Sequence, residues 1–84
     1  MQLPRQTDRV LDDLREELYN QFDNWGHVDH PLALWVTIIA EELGEVSREV
    51  LDFKSCVTDR QRLYTETIQV AVAAIAMAEQ VRRM

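Results

Sequence analysis

Three glutamates and a glutamine in two helical stretches of the chain have the spacing of metal ligands. Glu42 and Glu45 are three residues apart in the first stretch, and Glu66 and Gln69 have the same separation in the second. Residues at i and i+3 share one side of a helix, so each pair presents two oxygen atoms together. Carboxylate and amide oxygens are ligands for Mg²⁺ and other hard cations. The sequence therefore predicts a divalent-cation site where the two helices face each other.

The apolar pattern of the second helix makes Glu42 the most informative of these residues. At about 100° per residue, Glu42 falls inside an apolar stripe, Glu45 lies at its edge and Glu41 points away from it. The stripe consists of Leu32, Trp35, Ile39, Leu43, Val46, Val50 and Phe53. An ionised carboxylate on a buried face is costly unless it is paired or binds a metal. The pattern alone is also compatible with the alternative that these glutamates form a solvated helix face with ordinary salt bridges. Gly44 fits either tight helix packing or backbone clearance beside the ligands.

These side chains require three helices, and the rest of the sequence indicates them. Glycine and proline total four residues, and strand-like alternation is absent. Thr7 and Thr58 are predicted N-caps, and Pro31 fits the first position of the middle helix. The expected helices span 8–25, 31 to about 54, and about 59 to about 82. Gly26 is placed to end the first of them.

The third helix has two apolar faces, which bears on how the fold is completed. One face carries Tyr64, Ile68, Val72 and Ile75, and the other carries Leu63, Val70, Met77 and Val81. A helix that is apolar nearly all round needs cover on most sides. We therefore expect an all-α single domain over residues 1–84. Its three antiparallel helices would form a bundle completed by oligomerisation, as a homodimer or homotetramer.

Composition narrows the function classes. The chain has 15 acidic and 9 basic residues and a net charge of −6, which argues against a nucleic-acid-binding surface. The longest apolar run, 70–78, is too short to cross a membrane. Residues 1–13 are polar and do not resemble a signal peptide. Cys56 is the only cysteine, which suits a reducing compartment. We expect a cytoplasmic protein.

Three segments resemble the MazG-like all-α nucleoside triphosphate pyrophosphohydrolases. They are Asn24-Trp25-Gly26, the stretch 35–46 with its Glu41-Glu42-Leu43-Gly44-Glu45 core, and the stretch 66–73. The family pattern is EExxE on one helix and ExxD on the next. The resemblance covers about residues 22–79. It implies a hydrolase, dependent on Mg²⁺ or alternatively Mn²⁺, that cleaves (d)NTP between the α and β phosphates to give (d)NMP and pyrophosphate.

The same resemblance implies roles for individual residues. Glu42, Glu45 and Glu66 match metal ligands, and Glu41 matches a glutamate that orients or activates water. Gln69 stands where the family has aspartate. Its carbonyl oxygen can reach a metal but carries no charge, so a second ion would bind more weakly.

Substrate contacts are predicted for two further residues. Trp25 offers a stacking surface for a base or a packing surface, whereas Trp35 is expected in the core. Lys54, the only lysine, could reach phosphate, or it complements the dipole at a helix C-terminus. His27 and His30 are expected at the surface. The alternative hypothesis is a non-catalytic helical oligomer or a nucleotide-binding interaction module.

Overall fold

The computed structural model describes residues 1–84 as three α-helices without strands, which confirms the all-α prediction. The helices are α1 (Arg5–Trp25), α2 (Leu32–Leu51) and α3 (Val57–Arg83). Gly26 ends α1 as predicted: it has a left-handed φ of 66°, and its N–H donates to the Phe22 carbonyl. A left-handed φ costs glycine little, because glycine has no Cβ.

The predicted helix starts are wrong by a few residues. Helix α1 begins at Arg5 after Pro4, so Thr7 lies inside it and caps nothing. Pro31 precedes α2 and is not its first helical residue. At α3 the cap is Cys56, whose Sγ accepts the Asp59 N–H at 3.4 Å. Short polar side chains such as Thr7 and Thr58 are common caps, but proline and cysteine occupy these positions here.

Helix α2 also ends earlier than expected, at Leu51 instead of Lys54. The turn that follows contains Ser55 with a left-handed φ of 63°. Asp59 reaches back across this turn and accepts the Lys54 N–H at 2.9 Å. That hydrogen bond is the main reason why the pKa of Asp59 is lowered, followed by its bond with Cys56. The short turn makes α2 and α3 antiparallel neighbours.

Helix α3 is the centre of the fold. It packs along α2 and also contacts α1, whereas α1 and α2 do not contact each other. Trp35 meets Gln80 near one end of the α2–α3 pair, and Glu49 meets Arg62 near the other. On the α1 side, the Tyr64 hydroxyl donates to Asp13 at 2.6 Å. Helix α3 therefore has two neighbours within the chain. The expected contact of one of its apolar faces with another copy stays a prediction.

The core is small for a chain of this length. Only four residues are buried: Trp35, Ile68, Val72 and Ala73. The accessible surface is 6751 Å², whereas a compact monomer of 9.8 kDa exposes about 5,200 Å². The radius of gyration is 14.3 Å, against about 12 Å for a compact domain of this length. The subunit therefore leaves apolar surface without cover. No helix has the length and apolar character needed to cross a membrane.

Candidate metal centre

Three of the predicted ligands converge between α2 and α3. One carboxylate oxygen from each of Glu42, Glu45 and Glu66 lies within 4.8 Å of the other two. The i, i+3 pair on α2 provides two of them, and antiparallel packing brings the middle of α2 opposite the first half of α3. Glu42 and Glu66 are half-buried, and Glu45 is exposed. The geometry places the three side chains as the helical spacing predicted.

The electrostatics of this cluster reflect crowding of like charges. Desolvation raises the pKa of Glu42, and the nearby Glu45 and Glu41 carboxylates raise it further. A hydrogen bond with Glu45 raises the pKa of Glu66, with desolvation and repulsion from neighbouring carboxylates adding to the effect. A divalent cation would satisfy the same oxygens with all three groups ionised.

None of these three carboxylates forms a salt bridge with a basic side chain. The three ion pairs of the structure all lie elsewhere. Glu49, one turn after Glu45 on α2, pairs with Arg62 at 3.7 Å. Sequence reasoning missed Arg62, although it lies one turn before Glu66 on the same side of α3. The cluster is thus a concentration of negative charge without a basic partner.

Gln69 is engaged elsewhere. Its side-chain oxygen accepts from Gln21 Nε2 at 3.1 Å, and its Nε2 donates to Glu17 Oε1 at 3.1 Å. Both partners belong to α1. The metal-ligand role of Gln69 stays a prediction that would require the loss of both bonds. In this structure Gln69 ties α1 to α3.

The remaining predicted polar residues are close to the cluster in sequence but are not bound to it. Glu41 is exposed, and its charge is one cause of the raised pKa of Glu42. The Lys54 side chain is in none of the hydrogen bonds or ion pairs, so only its backbone is fixed, through Asp59. Its predicted contact with phosphate is neither supported nor excluded by this geometry.

A groove of about 740 Å³ opens between the end of α1, the loop that follows and α3, and none of the three carboxylates lines it. Trp25 lines it and is 76% exposed, together with Tyr19 and Phe22 from the same helix. The groove also borders Trp35, which lies seven residues before Glu42 and so about 10 Å away along α2. An open aromatic groove at this distance can accept a flat, partly apolar group.

Trp35 is buried as predicted, and the structure shows what holds it. Its indole N–H donates to Gln80 Oε1 at 2.6 Å, and its ring packs edge-on against His30 at 4.8 Å. Gln80 also bonds both backbone groups of His30. His30 is therefore half-buried, and the prediction of a surface residue is wrong for it; His27 is exposed as predicted. The contact of Gln80 with Trp35 and His30 was not predicted from the sequence. The signal that could have indicated it was the position of Gln80 among small residues on α3.

Comparisons of the chain with family models, with curated proteins and with solved structures give no match.

Proposed function

We propose that this chain is a Mg²⁺-dependent nucleoside triphosphate pyrophosphohydrolase of the MazG-like type, with Mn²⁺ as an alternative metal. The observation that carries the proposal is the convergence of Glu42, Glu45 and Glu66 within 4.8 Å, without a basic side chain to pair them. Such a cluster is unfavourable on its own and becomes favourable when it shares a cation. The motif resemblance supplies the reaction, which is cleavage between the α and β phosphates to (d)NMP and pyrophosphate.

In this proposal each part of the site would have its own role. Mg²⁺ held by the three carboxylates would neutralise phosphate charge and lower the pKa of a bound water. Glu41, exposed beside Glu42, would orient that water for in-line attack. Arg62 is better placed than Lys54 to meet a phosphate oxygen. Trp25 would stack on the base in the aromatic groove. The work of the protein is mainly positioning.

The decisive experiment measures pyrophosphate release from a panel of standard and modified nucleoside triphosphates, with Mg²⁺ and with chelator. We expect release from at least one of them that needs Mg²⁺ and falls by about 100-fold or more in Glu42→Gln. Glu16→Gln is the matched control, because it removes the same charge from an exposed position on α1. No Mg²⁺-dependent release at high protein concentration would refute the enzymatic proposal. Full activity of Glu42→Gln would refute this placement of the site.

The proposal also includes the oligomeric state of the protein and its location in the cell. We place the protein in the cytoplasm, as a homodimer or homotetramer, without nucleic-acid or membrane partners. The free Cys56 and the net charge of −6 support this view. The open core supports an oligomer, because apolar surface beyond that of a compact monomer remains to be covered.

A second candidate is a non-catalytic helical oligomer or a nucleotide-binding module. It is favoured by the two hydrogen bonds that hold Gln69 on α1, which leave the cluster with three carboxylates and no fourth ligand. The candidates differ in one measurement. A non-catalytic module would bind nucleotide in the groove with or without Mg²⁺ and release no pyrophosphate.

A further inference from the structure

An apolar surface runs along α2 on a side that the rest of the chain leaves mostly exposed, with Ile39 and Val46 half-buried at its edge. Its residues follow one another at steps of four, three, four, three and four: Leu32, Val36, Ile39, Leu43, Val46 and Val50. We call these six residues the α2 seam. Val36, Leu43 and Val50 are 57%, 56% and 55% exposed. Alternation of three- and four-residue steps is the pattern of a helix that packs against another long helix.

The rest of this side of α2 carries no charged residue. Beside the seam lie four small exposed residues, Ala33, Ala40, Gly44 and Ser47. A Cβ added at Gly44 would meet nothing within 4 Å, so this glycine is not required by packing inside the subunit. The charged residues of α2 all lie toward α3 or on the opposite side: Glu41, Glu42, Glu45, Arg48 and Glu49. An uncharged face of about five turns is unusual on the outside of a monomer.

Helix α1 cannot cover this face, because α1 contacts α3 and not α2. The surface of the whole chain leaves room for a dimer contact. The chain exposes about 1,600 Å² more than a compact monomer of its mass, and a stable interface buries about 800 Å² on each partner, which is about half of that excess. Small residues beside the seam would let a second backbone approach closely.

We propose that the α2 seam is the contact surface between two copies of this chain. The second copy is the occupant because a three–four repeat is complementary to itself, and a two-fold axis places the same surface on both subunits. The inference rests on the proposed oligomer but not on the proposed hydrolysis. It moves the expected interface from α3 to α2.

The salt dependence of dimerisation distinguishes an apolar interface from one that is held together by ion pairs. Each copy carries a net charge of −6, so two copies repel each other at low ionic strength. Between about 0.05 and about 0.5 M NaCl, screening should leave the dissociation constant of the dimer unchanged or lower it. A dissociation constant that rises with salt would show that ion pairs hold the copies together, which contradicts the seam.

The test measures solution mass by sedimentation, with folding followed by circular dichroism. The full chain at about 100 µM should be a dimer or an even multiple of it. Leu43→Glu, at the centre of the seam, should weaken association by about 100-fold or more, because the new carboxylate would be buried without a partner. Leu34→Glu is the matched control: Leu34 is a 41% exposed leucine of the same helix, outside the seam, and its variant should keep the native mass.

Ala40→Arg is the second variant, in case Leu43→Glu does not fold. Ala40 is exposed, so the larger side chain is harmless to a monomer but blocks a second helix. A native chain that is monomeric at this concentration would overturn both the oligomer and the seam, and would leave another kind of partner for this face. A dimeric chain whose folded Leu43→Glu and Ala40→Arg variants keep the native mass would overturn the seam alone. Neither result depends on whether the chain hydrolyses nucleotides.

Discussion

Replacing Glu42 by glutamine should change the stability of the protein in opposite directions with and without Mg²⁺. Glu42 has two carboxylate neighbours, Glu45 and Glu66, with oxygen atoms no more than 4.8 Å away. In a water-like dielectric, two charges at this distance repel by about 0.9 kcal/mol, and salt at physiological strength reduces this to about 0.5 kcal/mol. Glutamine removes both repulsions, so the metal-free variant should gain about 1 kcal/mol.

With Mg²⁺ the order should reverse. A site with a dissociation constant of about 1 mM contributes about 1.4 kcal/mol at about 10 mM free metal, and only if its ligands remain charged. One kcal/mol shifts the melting temperature of a domain of this size by about 4–8 °C. We expect Glu42→Gln to melt above the native chain in chelator and below it in Mg²⁺.

Thermal unfolding at pH 8, with chelator or with Mg²⁺, measures both effects in one assay. Glu16→Gln, which removes a charge far from the cluster, should follow the native chain in both buffers. If Mg²⁺ leaves the melting temperature of the native chain unchanged, the cluster does not bind the metal at this concentration. If Glu42→Gln lowers the melting temperature in chelator, the carboxylates do not repel each other as the distances require.

Two further predictions concern the cluster and its neighbour. Because the pKa values of Glu42 and Glu66 are raised above the ordinary value of 4.5, their contribution to stability is present at or below that pH. It is lost as the pH rises through the shifted values, so the metal-free chain should melt lower at pH 8 than at pH 5, by a margin that shrinks in Glu66→Gln. Gln69→Asp should lower the unfolding free energy by about 1–3 kcal/mol in denaturant titration, because it breaks two hydrogen bonds to α1 and places a carboxylate next to Glu17. Unchanged stability would contradict the role of Gln69 in linking α1 to α3. The control is Gln61→Asp, on the exposed side of α3.

Local patterns in the sequence were enough to predict the three helices and the convergence of the three carboxylates. Glu42, Glu45 and Glu66 follow from helical spacing and a short connection, which are both local. Cap positions were less predictable. The loop at 52–56 is closed by Asp59, Cys56 and a left-handed Ser55, and that combination has no simple signature. Trp35 was correctly placed in the core, but its partner Gln80 lies on another helix, so the sequence did not reveal the contact.

The main difference concerns which helix face is left without a partner. The sequence shows two apolar faces on α3 and one broad stripe on α2, so α3 appeared to need another subunit. In three dimensions α3 contacts both α1 and α2, so it has two neighbours within the chain. The stripe on α2 divides: Trp35 faces α3, while Leu43 and Val50 face outward. Periodicity gives the width of an apolar stripe but not the direction from which a neighbour arrives.

That division also separates the two proposals experimentally. Glu42 and Leu43 are consecutive, but consecutive residues of a helix point about 100° apart. Glu42 therefore faces α3 and the carboxylate cluster, and Leu43 faces away from both. A substitution at Leu43 leaves the ligands of the centre in place, and one at Glu42 leaves the seam intact. Helix α2 can thus carry a metal site within the subunit and a contact between subunits, and each can fail without the other.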